Sequence, residues 1–280
     1  MKNLSKSTEL MVWPLAAVLI FLAFQLIGST VVSTVVFFSY GQEEVDTADV
    51  ASWALAASSL LTIVSMIGIR YFGLRLPLAF TGNKGSIVAA SLLGFVCALV
   101  VATIFNELMD EALGVTLPEE YQRLFEGTVR NPVGLVAMCL LGPVCEECVF
   151  RGGIMRPMLA GGLKPAIPIV VSSVVFALVH GNMVQMVYAL IMGLVLAVIY
   201  YRTGSLLVTS LCHVLNNTST AVMMLTMPED YDHITVGQLV GRPLEIVLLV
   251  VSALLAFFLL RWLWRHTDVS FAQHDFEETE

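Results

Sequence analysis

The sequence predicts an all-α protein, a polytopic transmembrane helix bundle of about eight spans with both termini cytoplasmic. Three observations predict it. The 280 residues are 58% hydrophobic and only 13% charged, with a mean hydropathy of +0.85, whereas a soluble domain carries about 25% charged residues. Apolar runs recur at the length a membrane demands, since about 20 helical residues cross a hydrocarbon layer ~30 Å thick. The basic residues also segregate: with the N-terminus inside, only Arg123, Arg130 and Arg242 of the 14 Lys and Arg fall outside, which the positive-inside rule reads as cytoplasmic termini.

The expected spans are roughly 11–38, 50–69, 85–105, 132–158, 166–182, 183–201, 205–226 and 243–264. The first is too long for a cleaved signal peptide and has no small-residue cleavage site. The fifth and sixth form a tight pair parted near Gly181. Between the third and fourth, residues 106–131 mix acids with Leu108, Leu113, Leu117 and Leu124, a pattern suited to an amphipathic helix on the outer surface. The loop from Met227 to Arg242 is acidic. The tail 267–280 is too polar to pack and is expected to be disordered. No linker, low-complexity tract or internal repeat divides the chain, so residues 1–280 read as one membrane domain. The short loops and lack of targeting signals suggest a prokaryotic inner membrane. The net charge of −8 says little about partners, and no nucleic-acid partner is expected.

Ionisable residues inside spans carry the chemical information, because each costs at least ~2.5 kcal/mol at the bilayer centre and so faces a cavity or a partner. Of 22 acids, Glu146 and Glu147 alone fall well inside a span, with Glu245 at the mouth of the last. Of five histidines, only His180 and His213 do. Glu147 and Arg151 are four apart and can pair on one helix face, while Glu146 is turned about 100° away and free. His213 and Asn217 also share a face. Gly142-Pro143, one turn before the acids, permits a kink. If the fourth helix continues to about Leu159, Glu146 and His180 lie ~20 Å deep and His213 ~12 Å deep, within two turns of one another.

A carboxylate and an imidazole converging on one water can take its proton for attack on a carbonyl. A second imidazole and an amide can donate to the oxyanion that forms. Bland readings stand beside this one: a structural Glu147–Arg151 ion pair, and histidines that serve only as interhelical hydrogen bonds. Cys145 and Cys148 could join His180 and His213 around zinc, or Glu146 and Glu147 could join the histidines around a divalent metal with an open water position. Otherwise the five cysteines, all within apolar runs, act as small apolar residues.

Glu146-Glu147-Cys148-Val149-Phe150-Arg151, Phe176-Ala177-Leu178-Val179-His180 and His213-Val214-Leu215-Asn216-Asn217 resemble the EExxxR, FxxxH and HxxxN motifs of the CAAX prenyl protease and bacteriocin-processing family, also called Abi. Gly152 after the arginine, and Tyr201-Arg202-Thr203-Gly204-Ser205-Leu206 before the second histidine, are similar too. The resemblance covers about residues 135–220. It implies an eight-helix intramembrane glutamate endopeptidase that needs no cofactor and acts on a membrane-associated or lipidated protein or peptide. Eukaryotic members remove the last three residues of prenylated CAAX proteins. The likeness makes Glu146 the base, assisted by His180, with His213 and Asn217 as the oxyanion site and Glu147 and Arg151 as the orienting pair. A non-catalytic bacteriocin-immunity or scaffold protein of the same fold is the alternative, and a proton-coupled transporter a more distant one.

Overall fold

The computed structural model describes residues 6–40, 46–68, 83–114, 117–226 and 235–267. Within them the chain forms ten helices: α1 Lys6–Tyr40, α2 Thr47–Gly68, α3 Lys84–Leu113, α4 Glu119–Arg130, α5 Pro132–Ala160, α6 Ala166–Leu178, α7 Met183–Thr203, α8 Leu206–Thr226, α9 Val236–Val240 and α10 Arg242–His266. The expected disordered tail lies outside the described residues apart from Thr267, as do 227–234 of the acidic loop.

Each of the eight predicted spans corresponds to a helix, and six of the eight are long and apolar enough to cross a bilayer. The two that fall short do so for different physical reasons. Helix α6 has only 13 residues, or ~20 Å at the helical rise, because the chain turns at Val179–Gly181, where Gly181 takes φ 75°. Helix α8 has 21 residues, but Thr209, Ser210, His213, Asn216, Asn217 and Thr220 dilute its apolar character. Helix α6 leads into His180, and α8 carries His213 and Asn217.

Burial ranks the spans from the inside out. Half of the most apolar window of α5 is buried, against 17% for α1 and for α10. Helix α5 is therefore the central element, with α1 and α10 presenting most of their surface outward. Helix α1 packs on α2 and α5, α10 on α3, and α6 on α7. Small residues sit at these crossings, as expected where van der Waals packing drives association in lipid. A methyl group on Gly28 would lie 2.9 Å from Ser58 Cβ between α1 and α2, and one on Gly94 would lie 3.3 Å from Leu259 Cβ between α3 and α10.

The predicted amphipathic segment resolves into two parts. Helix α3 continues to Leu113, taking Glu107, Asp110 and Glu111 from an expected loop into its last turns, and stops at Gly114 with φ 64°. Glu111 then binds Arg242 at 2.7 Å, and Arg242 also donates to Glu245 at 2.8 Å, joining the ends of α3 and α10. Helix α4 is the amphipathic piece and packs against α2, α5 and α8. Asn131 caps the next helix by accepting from the N–H groups of Val133 and Gly134, and Pro132 fits at that first turn, where no N–H is needed.

Gly134 sits where this corner closes on α2: a Cβ there would overlap the Thr128 carbonyl and the Ser52 hydroxyl. Gly134→Ala is therefore expected to destabilise the protein by about 1–3 kcal/mol through overpacking, measured as a lower melting temperature in detergent.

Candidate active site

Helix α5 is not a uniform α-helix. It runs α over Pro132–Val136, π over Ala137–Leu141, α over Gly142–Glu147, π over Cys148–Met155 and α over Arg156–Ala160. Such π-turns mark helices that carry functional groups. The first has a local cause. The Gly142 N–H donates to the Ala137 carbonyl. Continuing that register, the next N–H would reach Met138, but Pro143 has none. The freed Met138 carbonyl instead accepts from Asn217 Nδ2 on α8 at 2.9 Å.

One turn on, the two glutamates diverge. Glu147 is fully buried and lies 3.1 Å from Arg151 Nη1, whose side chain is also fully buried. Arg151 Nη2 donates to the Gly193 carbonyl on α7 at 3.0 Å, and its guanidinium lies 5.1 Å from the centre of the Phe176 ring. Gly193 lets α7 lie close against α6, since a Cβ there would come within 3.1 Å of Phe176. The same Glu147 Oε1 accepts from His213 Nδ1 at 3.0 Å. Glu147 thus joins α5 to α8 as well as to its own arginine, a link that helical spacing alone does not reveal.

His213 is held by this bond so that Nε2 points the other way, 3.5 Å from Glu146 Oε2. The Glu146 side chain is 25% exposed, against 6% for His213, because it opens on a cavity. Two acceptors facing at that distance need a proton on one of them or a water donating to both.

His180 lies beyond the end of α6, in the Val179–Gly181 turn, and not inside a span reaching 182. Its Nδ1 lies 2.8 Å from the Phe176 carbonyl oxygen. A carbonyl can only accept, so Nδ1 carries the proton and, in the neutral ring, Nε2 keeps its lone pair. The Phe176 ring packs edge-on against His180 at 5.0 Å and His213 at 5.7 Å. One phenylalanine therefore orients both imidazoles.

Glu146, His180, His213 and Asn217 line a single cavity of about 580 Å³. It extends past Tyr188 on α7 and Asn106 on α3 to Phe125 and Arg130 on α4. The structure thus brings Glu146, Glu147, Arg151 and His213 into one connected set by direct contacts. His180 joins them through Phe176 and the shared cavity. Asn217 is tied to Met138 and accepts from Asn216 Nδ2 at 3.0 Å through its own Oδ1. Asn216 and Tyr188 are cavity residues to which sequence reading gives no role. Asn216 stands three residues from His213, on the same face, and that was the signal available.

Cys145 and Cys148 are buried in an apolar cluster with Phe150, Ala17 and Phe21. Among the described residues, no three His, Cys, Asp or Glu side chains converge as a metal site would require.

Residues 128–219 match the family described as type II CAAX prenyl endopeptidase Rce1-like. That match covers about a third of the chain and is a likeness of this stretch. The putative membrane peptidase YdiL of Bacillus subtilis (strain 168) is 26% identical over 160 residues, 54% of this chain and 63% of that protein. The match thus spans less than two thirds of that relative. The membrane-embedded CAAX protease MroQ of Staphylococcus aureus (strain USA300) is 23% identical over 222 residues, 77% of this chain and 90% of its own. No solved structure matches significantly. With six apolar helices of spanning length among the described residues, the chain is a multi-pass cell-membrane protein, similar over residues 128–219 to a family of membrane proteases.

The buried ion pair makes a stability prediction. Arg151→Ala leaves Glu147 as an uncompensated buried charge, a change that costs about 3–5 kcal/mol in such pairs. The variant is expected to melt at lower temperature in detergent, while Glu147→Gln/Arg151→Met, which removes both charges, recovers much of the loss.

Proposed function

We propose that this protein is an intramembrane endopeptidase that hydrolyses a peptide bond of a membrane-associated or lipidated protein or peptide with water activated by Glu146. The supporting observation is that Glu146 and His180 open on one cavity with His213, whose Nε2 lies 3.5 Å from Glu146 and whose Nδ1 is held by the buried Glu147. The relatives' description as a CAAX protease and a membrane peptidase points to the same chemistry.

In this mechanism a water lies between the Glu146 carboxylate and His180 Nε2. Glu146 takes one proton as the water oxygen bonds to the scissile carbonyl carbon, and His180 accepts a hydrogen bond from the other. The carbonyl π electrons move to oxygen. His213, carrying both ring protons in this step, donates one to Glu147 and offers the other to the oxyanion, with the Asn217 amide as second donor. Collapse of the tetrahedral species breaks the C–N bond, and the Glu146 proton passes to the departing nitrogen. The products are a carboxylic acid and an amine, which become carboxylate and ammonium as the second water proton leaves the new carboxyl group for the amine, and no covalent enzyme intermediate forms. Glu147 and Arg151 position His213. Water activation is assigned to side chains and not to a metal.

The test compares the membrane proteome of cells expressing wild type with that of cells expressing Glu146→Gln. Peptides cleaved only by wild type are expected, with the variant equally abundant in the membrane. Purified protein should lose about 100-fold or more in rate with His180→Ala and keep its activity in chelator. Identical proteomes would overturn the peptidase reading; loss of activity in chelator, restored by zinc, would overturn the metal-free mechanism.

A further inference from the structure

A chain of hydrogen bonds crosses the cavity wall, and its direction is fixed at one end. Asn217 Nδ2 faces the Met138 carbonyl, which can only accept, so that atom must be the amide nitrogen. Asn217 Oδ1 must then face a donor, and Asn216 presents its Nδ2 there at 3.0 Å. That leaves Asn216 Oδ1 facing the Tyr188 hydroxyl at 2.6 Å, so the tyrosine must donate. Every amide in the row has a single allowed orientation, and all donors point the same way, from α7 through α8 to α5.

We infer that Tyr188 and Asn216 are positioning residues for the Asn217 amide, forming a polarised relay that holds its Nδ2 group as an oxyanion donor. This rests on the peptidase reading of the site. An isolated asparagine amide can rotate by half a turn and present oxygen in place of nitrogen, and an oxygen facing a developing oxyanion would repel it. With Asn216 donating to Oδ1, that rotation would set two N–H groups against each other and strand the Met138 carbonyl. One Nδ2 hydrogen is committed to Met138, and the second is the group available to substrate. A row of aligned hydrogen bonds also polarises its members, which makes that last hydrogen a stronger donor.

Neither residue needs to touch the reacting atoms, so their effect must run through Asn217. Tyr188→Phe removes the first donor, and Asn216→Asp is near-isosteric but removes the second. The assay uses a quenched fluorescent peptide spanning a cleavage site found in the proteome comparison, with purified protein in lipid bicelles.

Either variant is expected to lower kcat about tenfold with little change in KM, part of the roughly 100-fold value of a whole oxyanion donor. In an Asn217→Ala background each should have no further effect, because groups acting as a unit are non-additive. A kcat within twofold of wild type for both variants would overturn the inference while leaving the peptidase reading intact. So would a loss of the same size in the Asn217→Ala background, which is what a general packing defect gives. If one variant fails to fold, the other decides the outcome. Absence of any Glu146-dependent cleavage by wild type would remove the peptidase reading and this inference with it.

Discussion

The buried carboxylate of Glu147 is the constraint around which the rest is arranged. Ionised inside the bundle, it is costly unless charge and hydrogen bonds surround it. Arg151 supplies the charge, His213 the hydrogen bond from a second helix, and Gly193 the carbonyl that occupies the arginine's far side. Three helices, α5, α7 and α8, are thereby fixed around one ion pair. Phe176 on α6 adds a fourth by lying against the guanidinium and both imidazoles. The orientation of His213 towards the cavity is a by-product of satisfying the neighbouring acid.

Much of this was legible in the sequence because lipid is an unforgiving solvent. Two acids, two histidines and an arginine stand out against apolar spans, and i,i+4 spacing pairs Glu147 with Arg151 and places His213 beside Asn217. Less legible were the features that arise only from packing. The contact between Glu147 and His213 joins residues 66 apart, and no local period encodes it. The π-turns of α5 leave no periodicity signal beyond Gly142-Pro143, which allows a kink without specifying its form. The true end of α6 was hidden for a similar reason: Val179-His180-Gly181 is apolar enough to extend a hydropathy window, yet the backbone has already turned. Polar positions such as Tyr188 and Asn216 stayed silent because a tyrosine or asparagine in a span is tolerated for many reasons, and its partner decides which one applies.

The proline at 143 illustrates how a local backbone rule becomes a tertiary one. Its missing N–H orphans a carbonyl, an orphan in a membrane interior must find a donor, and the donor it finds is a cavity amide. The directions of the Asn217 and Asn216 amides follow from this single vacancy.

The brevity of α6 also bears on the lipid. Ile167, Val170, Val171, Val174 and Leu178 remain exposed along it, so its outer face greases a band only ~20 Å tall beside a hydrocarbon layer of ~30 Å. A face that short matches only part of the hydrocarbon depth, a mismatch worth fractions of a kcal/mol per Å that lipid and neighbouring helices share.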